Sequence, residues 1–185
     1  MGESGSEFSH FIPEPRNFTE VTKVSDNIKN PWLKATLKEI KNIINNQTLL
    51  IEDQNEGEPV TICMDMYNAK NQSDGSLDKL KLRIVVRGDM QNKEFVGYNW
   101  SPTASMRTSK YFLADAAKHK ARVHQLDLIG AFLKSKVKNR VFVKLYIGYT
   151  DYFPEYEKYF GRALRLLKSM YGMTNYGKLF ADELT

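Results

Sequence analysis

Gln125-Leu126-Asp127-Leu128-Ile129-Gly130-Ala131-Phe132-Leu133 sets one carboxylate inside an apolar run and follows it with a short Gly-Ala-Phe-Leu step. The alternation predicts a strand over residues 122–128. On it Val123, Gln125 and Asp127 share one face, and His124, Leu126 and Leu128 share the other. An acid at the end of a half-buried strand is costly without a partner. Two kinds of partner suit it: backbone N–H groups, with Asp127 as a cap or loop ligand, or a bound cation.

The surroundings of Asp127 are strongly basic. Residues 60–144 carry 16 Lys and Arg against 7 Asp and Glu, while the whole chain of 185 residues has a net charge of only +5. Within 118–144, Lys118, Lys120, Arg122, Lys134, Lys136, Lys138, Arg140 and Lys144 face the single acid Asp127. Such a run is either a solvated basic face or the footprint of a polyanion, and its placement around a candidate metal ligand favours nucleic acid.

Composition narrows the class. The chain is long enough to bury a core, and its hydrophobic fraction of 42% fits a globular protein. No apolar run approaches the ~20 residues of a membrane span, and the opening residues, with Glu3 and Glu7, do not read as a signal peptide. The single Cys63 forms no internal disulfide and no cysteine-based zinc site. An intracellular location, cytoplasmic or nuclear, with no membrane partner, is the expectation.

Local patterns give the element order. Residues 1–30 are polar, carry Pro13 and Pro15 and lack a sustained period, so a flexible leader is expected. Asn30-Pro31 opens a helix whose apolar stripe of Trp32, Leu33, Leu37, Ile40, Ile43 and Ile44 runs to about residue 45. A short strand at 48–51 precedes two β-type runs, 60–67 and 80–87, joined by a polar tip containing Asp74-Gly75. Lys81 and Arg83 share one face of this hairpin, opposite Leu80, Leu82 and Ile84. A helix over 104–118 with Phe112, Leu113, Ala116 and Ala117 on its apolar side comes next. A turn at 131–135, strands at 140–146 and 163–168, an aromatic and acidic loop at 149–160, and a helix from Tyr176 complete the expectation. The last helix has no capping Gly, which reads as a truncated end.

Five stretches in this order carry a resemblance. They are Trp32, Ala35 and Glu39; Lys70, Asp74-Gly75 and Lys81-Leu82-Arg83-Ile84-Val85-Val86-Arg87-Gly88 with Gln91; Ser101-Pro102, Thr103 and Arg107; Gln125 to Leu133; and Tyr171-Gly172-Met173. Together they resemble the reverse transcriptase domain of copia-type LTR retrotransposons across about residues 31–185. The resemblance implies an α+β fold: a fragment of a right-hand polymerase, with a fingers hairpin and a partial palm whose mainly antiparallel sheet packs on helices.

What the resemblance implies chemically is template-directed nucleotidyl transfer by an RNA-directed DNA polymerase. In the intact enzyme that reaction uses two divalent ions about 4 Å apart, Mg²⁺ or Mn²⁺ in its place. Asp127 would bridge both, with the Leu128 backbone carbonyl helping to hold one. Phe132 matches the steric gate against a 2′-hydroxyl, its bland alternative being a core aromatic. Arg83, with Lys70 second, is the candidate grip on the triphosphate of a deoxynucleotide, because a guanidinium matches phosphate through paired donors. Asn175 takes the place of a family Gln that hydrogen-bonds the nucleotide. Lys118, Lys120, Arg122, Lys134, Lys136, Lys138 and Arg140 form an electrostatic track for nucleic acid. The implied partners are an RNA or DNA template with its primer, deoxynucleoside triphosphates, and the rest of a polyprotein: remaining palm, thumb, ribonuclease H and integrase.

Two departures limit the expectation. Thr174-Asn175 replaces the family's Lys-Gln after the Tyr-Gly step, and no Tyr-x-Asp-Asp motif occurs in the sequence. One aspartate cannot position two ions, so these residues alone are expected to be inactive. A catalytically dead nucleic-acid-binding relic or domesticated module is the alternative function.

Overall fold

Asn30 caps a helix, α2 (Pro31–Asn45), by accepting a hydrogen bond from the Trp32 N–H at 2.9 Å. Pro31, which lacks an N–H, takes the first helical position where none is needed. The apolar stripe points inward: Trp32, Ile40 and Ile43 are buried, as are Thr36 and Glu39. The computed structural model describes residues 13–24, 30–91, 100, 101, 103–126, 128 and 130–184, with the backbone alone described at Val24, Phe132 and Leu184.

The expected hairpin is present and longer than its apolar runs suggest. Strands β2 (Val60–Asn71) and β3 (Leu77–Val86) pair antiparallel, Cys63 opposite Val86, Asp65 opposite Ile84 and Tyr67 opposite Leu82. Paired residues share a face, and this one is the core face: Leu82, Ile84 and Val86 are buried. Helix α2 lies on it, with the Trp32 ring edge-on to Tyr67 at 5.4 Å. The opposite face pairs Met66 with Arg83, Asn68 with Lys81 and Lys70 with Lys79. Asp74 closes the tip by accepting from the Ser76 N–H at 2.9 Å.

The hairpin joins a five-stranded sheet with β1 (Leu49–Leu50), β4 (Phe142–Lys144) and β5 (Ala163–Leu166) in the order β1-β5-β4-β2-β3. The sheet is mixed rather than mainly antiparallel as expected. Strand β4 pairs parallel with β2, Val60 beside Phe142 and Ile62 beside Lys144. A parallel neighbour requires a long return connection, and the chain between β3 and β4 provides it.

Three further expectations are corrected. Within the supposed leader, Phe18–Val24 forms a helix, α1, with Phe18 and Val21 buried in the core. Phe18 packs edge-on to Tyr149 at 4.8 Å and to Tyr152 at 5.4 Å, and its N–H donates to Asp65 Oδ2 at 3.2 Å. Glu14 accepts from the Ala69 N–H at 2.6 Å, so this segment lines the part of β2 that β4 does not reach. The aromatic stretch after Tyr149 is core rather than loop: Tyr149, Phe153 and Phe160 are buried around a 3₁₀ turn at Pro154–Tyr159. Finally, the described residues of 122–128 form no strand. Leu126 is 90% exposed, and without a neighbour to pair with, an alternating pattern makes no ladder. Helix α3 (Met106–Lys118) precedes this segment and buries Ala116, but leaves Phe112 and Leu113 exposed. Helix α4 (Tyr176–Leu184) ends the described chain. Among the described residues no helix is long and apolar enough to cross a membrane.

Glu39 makes the packing of α2 on the hairpin pH-sensitive. Burial raises its carboxyl above the ordinary 4.5, outweighing the Asn42 amide and the charges of Lys81 and Arg83. The folded state therefore holds this proton more tightly than the unfolded chain. Its contribution to stability is fully present below the ordinary value and is lost as pH rises through the raised one. Urea denaturation of Glu39→Gln beside wild type at acid and neutral pH checks this: the variant gains on wild type as pH rises, and a difference independent of pH contradicts it.

Candidate functional site

Two segments more than eighty residues apart in sequence meet at the end of β3. The Val86 N–H donates to the Tyr171 carbonyl at 2.8 Å. Gly172 follows at φ +85°, a conformation that favours glycine. A methyl group there would run into the Val86 carbonyl and the Val85 side chain, and one on Gly88 would run into the Gly172 carbonyl. The Tyr-Gly-Met step is thus seated against the strand by backbone contact that no larger residue permits.

This seating places Tyr171 beneath Arg83, whose guanidinium lies over the ring at 5.5 Å from its centroid. A guanidinium held by its face keeps its in-plane N–H donors for a phosphate or carboxylate. Lys81 shares that face of the hairpin with Arg83, and Lys70 and Lys79 lie farther along it. Burial, then the neighbouring Arg83, hold the Lys81 ammonium below its ordinary value. The outer face of the hairpin therefore carries Arg83, Lys81, Lys70 and Lys79 together, where the sequence placed Lys81 and Arg83 on one face.

Beyond Met173 the same segment turns toward a cavity of about 320 Å³. Gln91, Asn175 and the exposed Lys138 line it, with Val141, Met173 and Leu179 among its walls. Gln91 fixes the geometry: its Oε1 accepts from the Thr174 N–H at 3.0 Å and from Thr174 Oγ1 at 3.3 Å. Lys178, another lining residue, is paired with Asp182 at 2.9 Å. The sequence indicated Asn175 and Lys138 separately, and the structure brings them together. The role of Gln91 was not legible, since its partner Thr174 is 83 residues away.

The remaining predicted residues divide. Asp127 lies outside the described residues, as does the side chain of Phe132. Leu128 is half exposed, at 50%, and the backbone of Phe132 lies in the 3₁₀ turn Ala131–Lys134, entered through Gly130 at φ +65°. Lys118, Lys120, Arg122, Lys134, Lys136 and Lys138 are all exposed. Arg140 differs from these six: its guanidinium is paired with Glu52 and Glu58, and Glu52 also binds Arg165 at 2.8 Å. These contacts pull both carboxyls below their ordinary values. Among the described residues, no group of three or more His, Cys, Asp or Glu is arranged to hold a metal ion.

If close packing of Gly172 seats the motif, Gly172→Ala costs about 2–5 kcal/mol from left-handed strain and overpacking together. That corresponds to a fall of roughly 5–15 °C in Tm. Gly75 has the same φ of +85° but nothing within 4 Å of an added methyl, so Gly75→Ala loses markedly less by thermal denaturation. Equal losses would show that the contact with β3 contributes nothing.

Comparison with known proteins identifies the family. A family model described as reverse transcriptase (RNA-dependent DNA polymerase) matches residues 46–185. The chain is 27% identical over 165 residues to the retrovirus-related Pol polyprotein from transposon TNT 1-94 of Nicotiana tabacum, covering 86% of this chain and 12% of that protein. It is 26% identical over 174 residues to the corresponding polyprotein from transposon RE2 of Arabidopsis thaliana, covering 92% of this chain and 11% of the relative. The chain thus spans only about a tenth of the length of these curated relatives. No solved structure matches it. With a family match across most of its length and Pol polyproteins of transposons as its relatives, the chain belongs to the reverse transcriptase (RNA-dependent DNA polymerase) family, in its copia-type retrotransposon branch.

Proposed function

We propose that these residues form the fingers and the first part of the palm of an RNA-directed DNA polymerase, and that they hold template, primer and incoming deoxynucleotide within a larger polyprotein. The observation that carries this is the seating of Tyr171-Gly172 on β3, beside the Arg83 and Lys81 face. It joins the fingers hairpin to the Tyr-Gly-Met motif in one surface. Arg83 grips the triphosphate of the nucleotide, Lys70 assists it, and Phe132 gates against a 2′-hydroxyl. Lys118, Lys120, Arg122, Lys134, Lys136 and Lys138 track the strand backbone. The other partners are the remaining palm, thumb, ribonuclease H and integrase of the polyprotein.

The donor set does not complete a two-ion centre. Asp127 offers one carboxylate, the sequence contains no paired-aspartate turn, and the described residues hold no cluster fit for a metal. Mg²⁺ chemistry therefore belongs to the intact enzyme, where Asp127 and the Leu128 carbonyl would meet further carboxylates. The basic surface equally supports a second reading, a nucleic-acid-binding module that does no chemistry.

Both readings predict that the purified 185 residues bind a template–primer without extending it. A primer-extension assay with Mg²⁺ checks the claim, and binding is followed in parallel by fluorescence anisotropy. Incorporation that Asp127→Ala abolishes would overturn the claim that these residues are inactive by themselves.

A further inference from the structure

Gln91, which lines the cavity beside Asn175, carries an amide donor that the polymerase roles above leave unused. Gln91 is only 8% exposed. Its Oε1 is saturated by Thr174, whose backbone N–H requires an acceptor and so fixes the orientation of the amide. Its Nε2 is buried and has no hydrogen-bond partner among the described residues. A buried polar group left in that state is unfavourable, so an acceptor entering the cavity is rewarded.

The shape and lining say which acceptor. A volume of about 320 Å³ falls within the range of small-molecule sites, roughly 300–1,000 Å³, and exceeds what one water needs. Val141, Met173 and Leu179 supply apolar wall. A bare anion would gain nothing from those walls, and an aliphatic ligand would leave Gln91 unsatisfied. A flat heterocycle with a carbonyl oxygen answers both. Lys138, a lining residue, is exposed, and the exposed Lys134 and Lys136 precede it in the chain. These cations suit the phosphates on either side of a base.

We propose that this cavity receives one unpaired nucleobase of a single strand, with a keto oxygen of the base accepting from Gln91 Nε2. The proposal rests on the nucleic-acid reading above and names a base-recognition site within it. Gln91→Glu is the matched variant: it keeps the oxygen that Thr174 needs and replaces the donor with a second acceptor.

Fluorescence anisotropy compares a short oligo(dT) with an abasic strand of equal length and phosphate count. Wild type binds oligo(dT) about tenfold more tightly, about the gain from one satisfied buried donor. Gln91→Glu loses most of that preference and binds the abasic strand nearly as wild type does. Equal wild-type binding to both strands, or a Gln91→Glu loss that is the same for both, would overturn the base site and leave the polymerase reading standing. Binding to neither strand would overturn both. If Gln91→Glu fails to fold, the wild-type comparison of the two strands still decides.

Discussion

The candidate site depends on the backbone contact between Gly88, Gly172 and the end of β3. Strand β3 lies at the edge of the sheet, where unpaired backbone groups are open to any partner. Tyr171 takes up the Val86 N–H, and the glycines let two backbones approach more closely than side chains would permit. Once that contact forms, Tyr171 lies under Arg83 and Thr174 reaches Gln91. The cationic hairpin and the polar cavity then become neighbouring parts of one surface. A Tyr-Gly step read as a motif is, physically, a device for docking one segment on another.

The rest of the molecule is arranged to keep that hairpin rigid. Helix α2 packs its Trp32 and Ile40 face on Leu82 and Ile84, and α1 anchors the other edge of β2 through Phe18 and Asp65. Asp65 is itself half-buried. Burial raises its carboxyl above the ordinary range, although the Tyr149 hydroxyl and the Phe18 N–H both donate to it. An acid on a core face is tolerable here because its oxygens are used.

What was legible in the sequence is what local chemistry decides. Asn30-Pro31 with an apolar stripe specified α2, and alternation around Asp74-Gly75 specified the hairpin and the face that carries Lys81 and Arg83. What was not legible depends on distant partners. The 122–128 pattern alternates correctly, yet a strand exists only when another lies beside it. The parallel pairing of β4 with β2 leaves no local trace. Two buried residues, Phe18 and Val21, were too few to mark α1 within a polar run. Arg140 read as one more cation in a basic stretch, because Glu52 and Glu58 are more than eighty residues away. Asn175 and Lys138 were legible as candidates one at a time. The cavity they share with Gln91 came from the fold.

The central claim is that the exposed cations, not the carboxylate-bound Arg140, hold a nucleic-acid strand. The salt dependence of single-strand binding measures this directly. If about six phosphates are neutralised, log K falls against log salt with a slope near −4. Replacing Lys134, Lys136 and Lys138 together by Ala makes the slope shallower by about 2. A flat salt response, or a slope that the triple replacement leaves unchanged, would contradict the account.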